Sequence, residues 1–227
     1  MLVTLHVWRA SWTKAFPRMA TEPRRVRKIG NVRFAKVLGT GTGATFGLGD
    51  ADLTRWAALV VWDGDEADVE AVDRGWAGAA TQSARIDLTP LTSRGTWSGI
   101  EPFGTSAGRR PGGMVLALTR ARIRPAKALT FWRAVPPVSA TLADAPGLVA
   151  RFGIGEAPAG FQGTVSVWRS TADLTAFAYR QPEHRAVITR TPAVKWYAEE
   201  LFARFDVCAV EGDRSVLGWQ DAPDGDG

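Results

Sequence analysis

The sequence predicts an α+β fold made of two tandem ferredoxin-like (βαββαβ) repeats joined into one pseudo-symmetric domain. Three observations predict it. Segments of strand and helix periodicity follow one another in the order β-α-β-β-α-β, and that order runs through the 227 residues twice. The two passes are also alike locally. KVLGTG (36–41) matches RFGIGE (151–156), and AALVVWDGDEADVEAV (57–72) matches GTVSVWRSTADLTAFA (163–178), so that Trp62 and Trp168 each end the third strand of a copy. Between the copies lies SGIEPFGTSAGRRPGG (98–113), whose glycines and prolines mark a linker.

The first repeat, 1–97, opens with LVTLHVWR (2–9), a strand with Leu2, Thr4, His6 and Trp8 on one face and Val3, Leu5 and Val7 on the other. In SWTKAFPRMATE (11–22), Trp12, Ala15, Phe16 and Met19 share a helical face, and Pro17 limits the helix to short segments. NVRFAKVLGTGTG (31–43) is a strand ending in a glycine loop, and RWAALVVW (55–62) is a buried strand. DGDEADVEAVDRGWAGAA (63–80) is a helix opened by acidic residues, as the helix dipole prefers, and ARIDLTPLTSRGTW (84–97) is the last strand. The second repeat, 114–212, gives strands at 114–124, 148–156, 161–168 and 201–210, with helices at 126–135 and 170–180. The glycines Gly39 and Gly153 are spaced more widely than the two tryptophans, which places a shorter loop in the second copy. Residues 213–227, ending DAPDGDG, read as a disordered tail. One ferredoxin-like unit leaves a bare sheet face; two fused units can pack face to face or close into a barrel, enclosing a cavity.

Composition excludes several classes. With 45% hydrophobic and 22% charged residues the chain reads as an ordinary soluble globular protein. No apolar run reaches the roughly 20 residues of a membrane helix, the N-terminus reads as a strand rather than a signal peptide, and the cytoplasm is the expected location. The single cysteine, Cys208, excludes an internal disulfide and a cysteine-rich metal site; in the final strand it reads as a small buried hydrophobe. The formal charge of +5 is concentrated at Arg24, Arg25, Arg27 and Lys28, with a second cluster at Arg120, Arg122, Arg124 and Lys127. No aromatic-interleaved platform or helix-turn-helix pattern accompanies the arginines, which argues against nucleic acid. A solvated basic face remains, suited to an acidic redox partner or an anionic membrane surface. Ten tryptophans serve either a core or a pocket for a large flat ligand, and composition does not separate the two uses.

Histidine is scarce: only His6 and His184. His184 follows Gln181-Pro182-Glu183, with Pro182 suited to the first helical position, so His184 falls in the first turn. A helix N-terminus disfavours the imidazolium and leaves the neutral form a metal needs. Val187 and Ile188 share its face and are apolar, as a porphyrin would want. The other reading is a helix-start histidine with no role. His6 either faces solvent or lines a cavity between the repeats. The run Gly39-Thr40-Gly41-Thr42-Gly43 lacks the spacing of a phosphate loop. Glu199 and Glu200, read as helical, point to different parts of the surface, and no Ser-His-Asp set is legible.

Several segments together resemble a known family. RGTWSGIEPFG (94–104), ALTRARIRPAKALTFWRAVP (117–136), GIGEAP (153–158) with SVW (166–168), and HRAVITRTPAVKWYAEELFARF (184–205) are similar to spheroidene monooxygenase, in order from about residue 31 to residue 207. The resemblance implies a dimeric α+β barrel-type fold. It also implies a monooxygenase containing heme b that uses O2 as co-substrate to oxidise C-2 of an acyclic carotenoid to a ketone. His184 matches the place of the axial iron ligand in such proteins, with Val187 and Ile188 beside the porphyrin. Arg151, Glu156 and Trp97 are the candidates for the catalytic, oxygen-side residues. The implied partners are an apolar small-molecule substrate and a ferredoxin-type electron donor, without nucleic acid; peripheral association with a membrane surface and pairing into a homo-oligomer stay open. Two other readings stay open as well, a heme lyase or dehydratase and a non-catalytic heme or apolar-ligand carrier.

Overall fold

Eight antiparallel strands, each with apolar side chains on at least one alternating face, close into a barrel in the computed structural model. The structure describes residues 1–43, 48–64, 66–104, 113–124, 126, 142, 145–156, 163–180 and 197–220. The first repeat supplies β1 (Leu2–Ala10), α1 (Trp12–Val26), β2 (Val32–Gly41), β3 (Ala51–Trp62), α2 (Val69–Arg74) and β4 (Ala80–Gly95). The second supplies β5 (Val115–Ile123), β6 (Leu148–Gly155), β7 (Gly163–Trp168), α3 (Thr171–Arg180) and β8 (Tyr197–Gly212). Around the barrel the order is β1-β3-β2-β6-β7-β5-β8-β4, with β4 returning to β1. Each half is thus a ferredoxin-like sheet, β4-β1-β3-β2 and β8-β5-β7-β6. The halves meet at two seams. One is long, from Ala84 opposite Gly212 to Gly95 opposite Leu201. The other is short: Gly39, Thr40 and Gly41 face Gly155, Ile154 and Gly153, so the two glycines matched in the sequence sit at equivalent places.

The expected cavity inside the barrel is filled. Val3, Leu5, Leu59, Ile86, Leu116, Phe152 and Phe205 belong to one buried cluster that occupies the interior, as an eight-strand barrel has room for little more than its own side chains. A second cluster, with Trp8, Trp56, Trp62 and Trp76, lies between the first half-sheet and its helices. A third, with Val115, Leu148, Trp168 and Leu174, lies under α3 on the second. Strand β1 is therefore buried on both faces, and four of the ten tryptophans serve the first outer layer.

Local physics departs from the sequence reading at several places. Helix α1 runs unbroken through Pro17 and Pro23. Pro17 is exposed, so the carbonyl it leaves unpaired faces water, and Arg25 anchors the helix by donating to the carbonyls of Ala71 and Val72 at 2.7 and 2.8 Å. Helix α2 is shorter than expected and is capped by Asp68, whose carboxylate accepts from the Ala71 N–H at 3.0 Å. Residues 213–220 are ordered rather than a tail: Arg214–Leu217 forms a 3-10 turn, and Val216 and Leu217 are fully buried against the barrel. Cys208 is exposed, because β8 carries an extra residue between Val207 opposite Leu88 and Ala209 opposite Asp87. Glu199 and Glu200 lie on β8, not on a helix. The helix expected at 126–135 lies, but for Ala126, outside the described residues, as do residues 221–227. Among the described residues no helix is long and apolar enough to cross a membrane.

Gly95, where β4 ends, has φ +98°, and a Cβ there would run into the Glu200 carbonyl oxygen across the long seam. Gly99 also has positive φ (+78°) but open space around it. Gly99→Ala should cost about 1 kcal/mol from backbone strain alone, and Gly95→Ala about 2–4 kcal/mol as the seam also shifts. Chemical denaturation of the two variants measures the difference.

Candidate functional site

Alternation carries four charged side chains into the inward rows at one end of the barrel. Lys36 lies between Phe34 and Leu38 on β2, and Arg120 follows Leu118 on β5. Glu156 follows Ile154 beyond β6, and Glu199 precedes Leu201 on β8. Trp97, just past β4, completes the group and is fully buried. Its indole N–H donates to Glu156 Oε1 at 2.7 Å, the oxygen that also accepts from Arg120 at 2.7 Å. Lys36 Nζ donates to Glu156 Oε2 and Ser98 Oγ, both at 2.7 Å. Arg120 also donates to Glu199, which accepts from the Gly99 N–H at 2.7 Å and from the Thr96 hydroxyl at 3.1 Å. The Arg120 guanidinium lies over the Trp97 ring at 5.2 Å, and its Nε has no hydrogen-bond partner among the described residues.

These contacts set the charge states. Burial works to raise the Glu199 carboxyl, but the Gly99 N–H, the Arg120 guanidinium and the Ser98 N–H overcome it and hold the group at about 2. Glu156 is lowered in the same way: burial opposes, and Lys36, Trp97 and Arg120 prevail. The quartet is therefore two cations and two carboxylates, balanced, spanning both repeats. A cleft lined by Leu38, Trp97, Arg120, Ile154, Gly155 and Glu156 is too narrow to admit a water molecule.

The structure thus brings Trp97 and Glu156 into direct contact and separates Arg151 from them. Arg151 lies opposite Ser166 on the outer face of the second half-sheet, and its guanidinium donates to the Gly43 carbonyl at 3.2 Å. His184, Val187 and Ile188 lie outside the described residues. His6 neither faces solvent nor lines an inter-repeat cavity. It is fully buried on the outer face of the first half-sheet, with Nδ1 3.1 Å from Asp73 and Nε2 3.0 Å from Thr4 Oγ1. This Thr-His-Asp series has the order of a nucleophile–base–acid set that the sequence did not show. Thr4 is also fully buried and accepts from the Trp62 indole at 2.9 Å, so its hydroxyl is committed to the core. Burial works to raise the Asp73 carboxyl, and it is outweighed by hydrogen bonds from His6 and Trp8 and by the charges facing it.

The two outer faces differ at matched positions. Trp62 lies opposite Leu2, and Trp168 lies opposite Val115. Stepping along β1 and β5 from there, Thr4, His6 and Trp8 correspond to Ala117, Thr119 and Ala121, while Val60 and Ala58 correspond to Ser166 and Thr164. The first set is entirely buried, whereas Thr119 is exposed and Ala117 and Thr164 are partly so. The second repeat presents a floor of small side chains where the first is filled.

Sequence reading missed Lys36, Arg120 and Glu199. Beside Arg122 and Arg124 in the sequence, Arg120 reads as part of a solvated cluster. The overlooked signal is phase: each of the three sits two residues from an inward apolar neighbour. Because the Glu199 carboxyl is depressed, its stabilisation is complete above the ordinary carboxylate range and is lost as pH falls from about 4.5 toward about 2. Glu199→Gln leaves Arg120 with less buried counter-charge and should cost on the order of 3 kcal/mol at pH 7. Denaturation midpoints of the variant and the parent should draw together as pH falls below about 4.5 and converge only below about pH 2, where Glu199 of the folded parent is protonated as well.

No family model matches the chain. The spheroidene monooxygenase of Rhodobacter capsulatus is 34% identical over 222 residues, 93% of this chain and 92% of its own length. That of Rubrivivax gelatinosus is 34% identical over 186 residues, 79% of this chain and 70% of its own. Among solved structures, an aldoxime dehydratase superposes with a TM-score of 0.52 over 91% of this chain and 80% of that one, at 12% identity, a shared fold. With a third of all positions identical across nearly the full length of both chains, this protein belongs to the spheroidene monooxygenase family of oxidoreductases.

Proposed function

We propose that this chain is a heme-dependent monooxygenase acting on an apolar substrate, an acyclic carotenoid, above the outer face of its second half-sheet. The observation that supports this reading is the unequal filling of the two outer faces. Where the first repeat packs Thr4, His6 and Trp8 beneath its helices, the second offers Ala117, Thr119 and Ala121. A porphyrin and an extended polyene are both large and flat, and each needs a floor without bulky side chains. Trp168, Leu148 and Leu174 form an apolar, water-excluding border to that floor.

His184 would hold the iron, with Val187 and Ile188 against the porphyrin; family membership and their place after α3 support this. Bound heme supplies activation of O2, with electrons from a ferredoxin-type donor. The chain's own share is to exclude water and orient the substrate. Arg151 is the one of the three candidates on this face, where the Gly43 carbonyl steadies its guanidinium. Ser166 Oγ accepts from the Trp168 indole at 3.0 Å, which leaves the hydroxyl proton for a ligand. Trp97 and Glu156, in the inward phase, act through the barrel end and not through substrate.

Purified protein reconstituted with hemin should show a Soret band, lost in His184→Ala and in Ala117→Trp, which fills the floor, and kept in His6→Ala. Turnover should require both O2 and reductant. Full heme retention in His184→Ala and Ala117→Trp together, or turnover without O2, overturns the reading.

A further inference from the structure

We infer that helix α1 is a docking surface for an anionic lipid bilayer. The helix buries Ala15, Glu22 and Val26 against the first half-sheet. On its free side Trp12 is 53% exposed and Phe16 47%, with their rings in edge contact at 5.6 Å. They are one turn apart, and on the helical wheel Pro23 and Arg27 continue the same stripe with Arg24 beside it. No other aromatic side chain among the described residues is so exposed. Two large rings left in water on a helix are a cost that a water-facing surface does not repay.

The charges on this helix divide into two groups. Lys14, Arg18 and Arg25 are committed to the chain itself, on the carbonyls of Gly78, Gly75, Ala71 and Val72. Arg24, with Arg27 and Lys28 just past the helix end, is exposed, and the side chains of all three make no hydrogen bond or ion pair among the described residues. The single acid of α1, Glu22, is buried and paired with Arg25 at 2.7 Å. The free surface is therefore aromatic at its N-terminal end and cationic at its C-terminal end, with no exposed carboxylate along the helix.

That combination selects among partners. A second copy of this chain would need about 800 Å² of complementary surface on each side, more than two rings and three repelling cations offer. An acidic redox protein would use the cations and leave the rings in water. The headgroup layer of an anionic membrane takes both, the rings at the acyl boundary and the cations among the phosphates. This inference rests on α1 alone and stands whether or not the proposed reaction does.

The test is co-sedimentation of the purified full chain with vesicles of mixed phosphatidylglycerol and phosphatidylcholine, against phosphatidylcholine alone. Partition onto the anionic vesicles is expected, with a loss of about tenfold or more in Trp12→Ser/Phe16→Ser. Each of Arg24→Gln, Arg27→Gln and Lys28→Gln should lower it on the order of fivefold. All these side chains are exposed, and unchanged far-ultraviolet circular dichroism verifies that the variants fold. Equal partition onto neutral vesicles, or none onto either, overturns the proposal. So does anionic binding that needs the cations but ignores Trp12 and Phe16, which assigns the face to an acidic protein. A dimer that becomes monomeric in Trp12→Ser/Phe16→Ser, by light scattering, assigns it to a second copy and equally overturns it.

Discussion

Closure of the sheet is the constraint on which the rest of this molecule depends. A two-residue pleat sends every second side chain inward, and once β4 pairs with both β1 and β8 no edge is left to relieve the packing. Apolar side chains can fill the middle of such a barrel, but its ends meet water and cannot be wholly apolar. At one end the answer is the Lys36–Glu156–Arg120–Glu199 series under Trp97. At the other, Arg55 donates to the Gly41 carbonyl at 2.7 Å, bonds Thr40 and lies over Phe152 at 5.1 Å. Both ends thus hold a buried guanidinium, a planar donor whose several N–H groups can satisfy neighbouring acceptors while its face packs on a ring. The charges at the first end also cross from one repeat to the other, so they fasten the two halves where the short glycine seam contributes only three residue pairs.

The duplication explains the shape, and the departures from it set the two outer faces apart. Both half-sheets have the same strand order, and Trp62 and Trp168 sit at the same place in each. The first half completes an outer layer of indoles and a Thr4–His6–Asp73 series in which Thr4 and His6 are buried, with every polar atom of His6 engaged. That face has become structural, and its histidine with it. The second half keeps Trp168 but replaces the remaining bulk with alanine and threonine.

Much of this was legible in the sequence, because both the repeat and the alternation are local patterns. Strand order, the equivalence of Gly39 and Gly153, and the shared position of Trp62 and Trp168 all follow from segments that can be read one at a time. The failures are where two segments had to be read together. Arg120 looks solvated beside Arg122 until its phase with Leu118 is combined with closure of the barrel. Cys208 looks buried until the extra residue in β8 shifts its phase against β4. His6 looks half-exposed because β1 alone does not reveal that α1 and α2 cover its second face. Val216 and Leu217 sit in a polar stretch, and only the open barrel end gives them something to cover.

The contrast between the two outer faces also bears on stability. Burying a large aromatic side chain contributes on the order of 2–3 kcal/mol, so a repeat that holds Ala121 where its twin holds Trp8 forgoes a comparable amount. A domain only marginally stable overall can sustain such a loss in one half if the other half and the seams are firm. It can also recover it, because any ligand that occupies the floor in the folded state alone stabilises that state by mass action. Four buried tryptophans on the first face and the crossed charges at the barrel end then have a common consequence. They hold the sheet closed, so that the small side chains of the second face are carried on a frame that the first face and the seams keep rigid.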